Sequence, residues 1–547
     1  MIHIKNKLTG YCLLLVFLST TIISCTKNTV SEEPLYPESP KGLIDFEDVP
    51  PTPAIAAEGS IVTIKVNGLG GKQGQFRFYI NQTPADVVSV TDTEVRIRIP
   101  ITASTGTCAV EINGQFYFGP IIDIRGKLNI DATFNTTTNI ATGEILGIDP
   151  RPLGGYLIYG SFRNYQNQSS AVAAITGLAF IDNNGALLTT GSGSSLRPAF
   201  NIGVTGMNGT VNTAVFTSEN KVIAGGTFSA VNSKGNISNI TRFNATGSLD
   251  TLSYDIAGEG SLPKTVGPAF NGGFTGTVTK LLNTSSGIVA IGNFSDYNSI
   301  LYERSTADAP YVDRIRISQI ARVNIDGGID SSFNINRGTR PIEGYSTANG
   351  FIYDGVEMPN NKLLLVGNFT VFENQQALRI VRIDLVTGRR DPSFVVGGAN
   401  GAITKITYNS TTRKLLITGQ FTSYNGEAAN GIVMLDENGN IDHSFRFRPV
   451  EGGIPNFAGQ LKDGKVMVSG TFNKYDGIVR AGFMMLNSDG SLAVGYNNIG
   501  FFNGRVNDFV EYPSDTDPSI TYVMLVGTFT RFDSKTVGNI VKIRVQN

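Results

Sequence analysis

One short pattern recurs seven times along this chain and limits what the chain can fold into: an apolar run closed by Gly-x-Phe. The copies are YLIYGSF (Tyr156–Phe162), KVIAGGTF (Lys221–Phe228), GIVAIGNF (Gly287–Phe294), KLLLVGNF (Lys362–Phe369), KLLITGQF (Lys414–Phe421), KVMVSGTF (Lys465–Phe472) and YVMLVGTF (Tyr522–Phe529). In six of them an aromatic follows three residues later, at Tyr165, Tyr297, Phe372, Tyr424, Tyr475 and Phe532. A run of this length, rich in β-branched residues and bounded by turn residues, reads as a strand. Recurrence every ~50–75 residues marks a repeat fold. The phenylalanines and the aromatics after them return in nearly every copy, so they are expected to pack a core rather than to meet a ligand.

A second motif follows the first. It appears as ITRFNATGSLD (Ile240–Asp250), IARVNIDGGIDSSF (Ile320–Phe333), IVRIDLVTGRRDPSF (Ile380–Phe394), IVMLDENGNIDHSF (Ile432–Phe445) and FMMLNSDGSL (Phe483–Leu492). Each reads as strand, tight turn with Asn or Asp and Gly, strand. Another short strand precedes each Gly-x-Phe run, as at Val211–Phe216 and Ile403–Tyr408. The unit is therefore four antiparallel strands, a to d, and such units repeated radially are β-propeller blades. The paired motifs resemble delta-60-type propeller repeats over most of residues 127–547. The expectation is an all-β, seven-bladed β-propeller. The last copy stops at strand c, Ile540–Val545, while Leu128–Phe134 matches the "D-x-x-F" of a strand d. The N-terminal strand 128–134 is thus expected to complete the last blade and remove two open sheet edges.

The front of the chain is organised differently. Residues 1–25 read as a targeting segment, with Lys5 and Lys7 ahead of an apolar core at Leu13–Ile23. Ile22-Ile23-Ser24-Cys25 matches a lipobox, and the segment resembles the signal peptides of bacterial lipoproteins. That resemblance implies acylation of Cys25 and anchoring to a membrane, where each buried methylene adds ~0.8 kcal/mol. Cys12 leaves with the signal, so Cys108 stands alone and reads as a small buried core residue. Residues 26–53, with Pro34, Pro37, Pro40, Pro50, Pro51 and Pro53, read as an extended tether. Ser31-Glu32-Glu33 resembles the acidic surface-export signal of Bacteroidota lipoproteins. Residues 54–122 alternate apolar and polar residues between turn signals such as Asn67-Gly68 and Asn113-Gly114, the pattern of an antiparallel sandwich. The order Gly59, Val62–Ile64, Gly68, Ala85–Ser89, Thr91–Glu94, Pro100, Thr105-Gly106 and Asn113-Gly114 resembles the immunoglobulin-like IPT/TIG domains. Those domains act mostly as spacers or interaction modules.

Composition bounds the function. The net charge is −1 and no basic stripe is present, so nucleic-acid binding is not expected. After signal removal His443 is the last histidine, which excludes a multi-histidine metal site or a histidine-bridged triad elsewhere. His443 itself occupies a position filled by Ser332 and Pro392 in sister repeats, a variable strand position. Asp436–Asp442 resembles a calcium loop faintly but lacks the full spacing and terminal Glu. A hairpin turn explains it, so no metal and no cofactor is expected.

Long loops on a rigid scaffold carry function. The b–c segment from Phe294 to Asn324 and the d–a stretches near Ala257–Gly273 and Arg337–Gly350 are the long ones. They place Tyr302, Arg304, Tyr311, Arg314, Arg340 and Tyr345 as candidate ligand-binding residues. The resemblance to Bacteroidota surface lipoproteins implies an outer-membrane protein facing the cell exterior, non-catalytic, that binds a glycan or peptide nutrient beside a SusCD-type importer. The alternatives are an adhesin or structural surface protein, and a propeller hydrolase or lyase using acids such as Asp308 and Asp313.

Overall fold

The structure is a computed structural model and describes residues 44–170, 172–192, 196–255, 265–306, 309–395 and 397–547. The expected signal peptide with Cys25, the expected tether up to residue 43, and Asp308 lie outside the described residues. The rest is all-β, with one 3₁₀ turn at Tyr302–Arg304.

The first unit has eight strands: β1 (Asp45–Phe46), β2 (Ile55–Ala57), β3 (Ile61–Asn67), β4 (Arg77–Ile80), β5 (Thr83–Val90), β6 (Glu94–Arg98), β7 (Gly106–Ile112) and β8 (Gln115–Arg125). They pair in the order β1-β3-β6-β5-β4-β7-β8-β2. Alternation sends Val62, Ile64 and Val66 of β3 inward and leaves Lys65 in water. Those side chains meet Phe78, Ile80, Cys108 and Val110 from the other half, giving one core between two packed layers. Cys108 is fully buried, and burial pushes its thiol up to about 12. Asn113 and Gly114 both take positive φ and join β7 to β8 in a two-residue hairpin. The sandwich starts earlier than the boundary at 54. Asp45–Phe46 pairs with Val66–Asn67, and Thr52 bridges Thr63, so the end of the expected tether is sandwich. A two-residue strand has no periodicity to betray it.

Residues 128–547 form a β-propeller. Among the described residues, seven sheets repeat one antiparallel a-b-c order. Their first strands are Ile145–Pro150, Thr210–Phe216, Thr277–Thr284, Ile352–Met358, Ala402–Asn409, Pro455–Gln460 and Asn503–Pro513. Each lies beside the next in order, and the seventh lies beside the first, so the strands ring a central axis. Strand d is shorter than the sequence motif suggests. In six sheets it is one bridge, such as Leu486 to Leu492. In the seventh it is the N-terminal strand Leu128–Ile130, paired with Ile543–Val545.

The recurring Gly-x-Phe belongs to strand b, which is buried throughout, as at Val466–Gly470. Its glycine has a steric reason. Gly470 faces Pro455, and a Cβ there would strike the Ile454 carbonyl. The same collision awaits a side chain at Gly160, Gly226, Gly292, Gly367, Gly419 and Gly527. Opposite each glycine, strand a carries a β-bulge. The glycine admits the bulge, and the bulge re-aims the residue after it toward the axis. The phenylalanine is buried in every copy, and so is the aromatic three residues on in the six copies that carry one. Four of those are tyrosines, and each donates its hydroxyl to the glycine carbonyl of its own c–d turn: Tyr165 to Gly185, Tyr297 to Gly327, Tyr424 to Gly439 and Tyr475 to Gly490. A buried phenol needs an acceptor, and this one braces the outside of the short strand c.

The sandwich sits against the last two blades. The backbone N–H of Thr105 donates to Asn498 O at 2.9 Å, and that of Lys127 to Gly495 O at 2.7 Å. The Asn498 amide donates to the carbonyls of Ile124 and Leu128. Arg480 donates to Thr102 O at 3.0 Å, and burial pulls its guanidinium down to about 10.

Candidate functional site

The third blade is built out where its neighbours are trimmed. In the fourth blade the b–c connection is a tight hairpin, Val371–Phe372 against Gln375–Gln376. In the third the chain runs out as Asp296–Ile300, turns, and returns as Val312–Arg316. This hairpin joins Gly273–Phe274, Glu343–Gly344 and Ile335–Asn336 in one five-stranded sheet. The long b–c segment and the long d–a segment are therefore one surface, joined where Arg316 pairs with Glu343.

The six candidate residues divide into two groups on this extension. Tyr302 is buried rather than displayed. Its ring stacks on Tyr254 at 3.6 Å and 10°, and its hydroxyl donates to Pro268 O at 3.3 Å. Burial pushes its phenol up to about 12. Tyr302 thus clamps the hairpin to the neighbouring ribbon Thr251–Tyr254/Thr265–Pro268 and is a packing residue. Arg314 is committed as well: its fork meets Asp296 at 2.9 and 2.8 Å, and holds that carboxyl below the usual range. Tyr345 lies under the Arg389 guanidinium at 3.4 Å, and Glu373 holds Arg389 through both oxygens. The other three are exposed, as Arg314 is, but no acidic side chain among the described residues holds them. Tyr311 is 44% exposed, with the Arg304 guanidinium 4.0 Å over its ring. Arg340 is exposed and, among the described residues, donates only to the nearby carbonyls of Arg337 and Thr339.

Two other sequence readings resolve locally. The Asp436 carboxylate accepts the N–H groups of Asn438 and Asn440, as a turn requires. His443 is exposed, 3.7 Å from Glu427.

A charged cluster on the axis was not anticipated. The residues after the bulges are Gly147, Thr213, Lys280, Asp354, Lys405, Phe457 and Asp508, one per blade. Lys280 Nζ lies 3.1 Å from Asp354 Oδ1, and Lys405 Nζ lies 3.7 Å from Asp354 Oδ2. Asp354 also accepts the N–H groups of Gly355 and Ile406, and Asp508 accepts that of Ile148. Burial works to raise the Asp354 carboxyl, but Lys280 and Lys405 outweigh it and hold it low. Burial works to lower the Lys280 ammonium, but Asp354 and Asp508 outweigh it and raise it. Only a charge at the same register of several otherwise apolar a strands could have signalled this cluster from sequence.

Asp149 completes it. Burial, then Asp508 beside it, push its carboxyl up to about 6, against the pull of Lys280, Tyr159 and Lys405. The folded state therefore keeps a proton on Asp149 up to about pH 6, whereas the unfolded chain releases it near ~4. Stability from this group falls as pH rises between those values and stays low above them. Asp149→Asn is expected to raise the melting temperature at pH 8, with the gain vanishing near pH 4. Thermal melts of both proteins across that range check it.

Residues 46–121 match the IPT/TIG domain. Residues 218–252, 359–394, 412–445 and 461–492 match the Domain of unknown function (DUF5122) beta-propeller. Those four segments are strand b through strand d of the second, fourth, fifth and sixth blades. Among solved structures, an auxiliary nutrient binding protein from Bacteroides ovatus is similar at 12% identity and a TM-score of 0.27, covering 94% of this chain and 100% of that one. A putative phosphatase from Bacteroides thetaiotaomicron is similar at 10% and 0.27, covering 92% and 97%. A β-propeller domain from Myceliophteria thermophila is similar at 10% and 0.36, covering 76% and 99%. Likenesses of this size carry no weight for function. No curated protein sequence matches the chain.

Proposed function

For a chain that joins an IPT/TIG domain to DUF5122 β-propeller repeats, we propose the role of a non-catalytic, lipid-anchored protein of the outer-membrane surface that binds a nutrient ligand. The ligand is a glycan or a peptide, and the protein serves as an accessory of a SusCD-type importer. The observation that carries the reading is the five-stranded extension of the third blade. It gathers the longest loops of one propeller face into a single ordered surface, and loops held on a rigid scaffold are where binding residues concentrate. Arg304 and Tyr311 present a stacked cation and ring to solvent, with Arg340 exposed on the same extension. Such groups suit sugar hydroxyls and peptide carbonyls. The lipobox at Cys25 and the proline-rich segment after it support anchoring and reach.

The test is retention of the purified protein on immobilised oligosaccharides and peptides, with co-purification of a porin-like importer from membranes. Arg304→Ala with Tyr311→Ala is expected to weaken retention ~10-fold, ~1.4 kcal/mol, and to leave the melting temperature unchanged. Equal retention by that variant would remove the extension from the binding site.

One observation favours a second reading, an adhesin or structural surface protein. Phe116, Phe118 and Ile121 of β8 are 49, 72 and 58% exposed. Exposed apolar groups of this kind suit a protein partner. That reading expects capture of a surface protein, lost in Phe118→Ser, with no small ligand bound.

A further inference from the structure

The repeats of this chain give an internal standard for each position, and the fifth blade departs from it. After the phenylalanine that ends the second motif, the fourth blade places Val395, whereas three other blades place asparagine: Asn201, Asn271 and Asn334. Each donates its backbone N–H to the c–d turn of the following blade, at Thr246 O, Asp326 O and Thr387 O. Each side chain then turns back to the main chain. Asn201 Oδ1 accepts from Gly203, and the amides of Asn271 and Asn334 donate to Ile300 O and Ile320 O. The equivalent residue of the fifth blade is Arg446, whose N–H donates to Asp489 O at 3.1 Å. The backbone contact is kept and the side-chain function is dropped. Among the described residues no side-chain partner of Arg446 is found, and the residue is exposed.

Arg446 lines a cleft of about 800 Å³ between the fifth and sixth blades. The volume lies within the range of sites that take small organic ligands. Buried Phe445 and Phe447 form its apolar floor with Val433. Its rim carries both signs of charge. Arg448 is bound to Asp476 at 2.6 Å, so its charge is spent. Among the described residues Glu427 has only exposed His443, 3.7 Å away. The Arg446 guanidinium and the Glu427 carboxylate thus stand open around an apolar floor, while Asp489 accepts from Ser491 within its own turn.

We propose that this cleft is a binding site for a short peptide with a free C-terminal carboxylate. The Arg446 guanidinium takes the carboxylate through two parallel N–H donors, the geometry in which arginine excels. Apolar side chains of the peptide lie on Phe445, Phe447 and Val433. Glu427 takes the amino terminus or a basic side chain. A ligand carrying both charges and an apolar middle matches the rim, which a uniformly anionic saccharide does not, because Glu427 and Asp489 would repel it. The site is separate from the third-blade extension and does not depend on it.

Calorimetric titration of the intact protein tests this, using basic-apolar tripeptides with a free C-terminus, the same tripeptides as C-terminal amides, and a galacturonate trimer. The free acids are expected to bind at least tenfold tighter than the amides. Arg446→Asn, which restores the residue of three sister blades, is expected to abolish that preference while leaving the melting temperature unchanged. Phe447→Ala controls for the floor and is expected to weaken acids and amides alike. Three outcomes overturn the proposal: no tripeptide binds, acid and amide bind equally, or the galacturonate trimer binds more tightly than any tripeptide.

Discussion

Removal of Ile540–Asn547 is expected to leave the propeller unfolded at 25 °C, with most of the native strand content lost by circular dichroism. The strand Ile540–Gln546 lies between Ile520–Phe532 and the N-terminal strand Leu128–Ile130. Ile540, Val541, Ile543 and Val545 are all fully buried. At ~1.5–3 kcal/mol for each such side chain, the loss is roughly 6–12 kcal/mol. That equals most of the ~5–15 kcal/mol by which a folded protein is stable. The deletion also breaks an ion pair. In other blades the strand-c arginine pairs with the aspartate after strand d: Arg242 with Asp250, Arg322 with Asp330, Arg382 with Asp391. In the last blade the pair spans the whole propeller, with Lys542 Nζ 3.2 Å from Asp131 Oδ1 and both side chains buried. Lys542→Met isolates that term. It leaves Asp131 buried without its cation, and a loss of about 3 kcal/mol is expected. A melt unchanged by the deletion would mean that the ring does not depend on its N-terminal strand.

The second large effect is expected on the axis. Lys280→Met should destabilise the protein by roughly 3–5 kcal/mol at pH 7, the usual result of removing one partner from a buried pair. Lys280 faces Asp354 directly and lowers the cost of Asp508 and Asp149. Its folded ammonium is raised above the ordinary lysine value, so its contribution is complete at neutral pH and is lost only in strong alkali. The Asp354 carboxyl is lowered, so its share is present above ~4 and fades as pH falls below that. The gap between Lys280→Met and the native protein should therefore narrow on acidification, as the orphaned acids take up protons. Adding Asp354→Leu to Lys280→Met should recover part of the loss at pH 7, because the uncompensated charge goes with it. Urea unfolding at pH 7 and pH 4 measures both effects.

Much of this architecture was legible because its signals are local. An apolar run ending in Gly-x-Phe reports strand b wherever it stands, and Asn113-Gly114 reports a hairpin whatever it packs against. Seven copies of one motif carry information that no single copy holds, and the missing strand d after Val545 pointed to Leu128. The same logic failed where the signal was too short. Asp45–Phe46 has two residues and no alternation, so nothing in the sequence separates it from the tether. Strand d looked like a full strand from its motif, yet Leu492 makes one bridge, because the chain turns away at once to start the next blade.

The candidate site was legible only as a neighbourhood. The length of the Phe294–Asn324 segment correctly marked an extension. Which of its residues face water could not be read there. Tyr302 looked like a display residue, but its partner Tyr254 is remote in the chain, and the stack buries both rings' contact faces. Arg314 looked free, but Asp296 lies diagonally across the hairpin and takes its fork. Lys280, Asp354, Lys405 and Asp508 share no local signal, and only the ring brings them to one axis. Arg446 stands apart only when its backbone hydrogen bond to Asp489 is set beside those of Asn201, Asn271 and Asn334.

Strand identity, repeat number in the motif, turn positions and the N-terminal targeting pattern follow from residues within a few positions of one another, because side-chain period and turn geometry are properties of the local backbone. Which glycine admits a bulge, which charges share the axis, and which arginine is left without a partner depend on groups tens to hundreds of residues apart. Those groups meet only when the sheets close into a ring. Coulomb and packing energies depend on distance in space, so they enter only then.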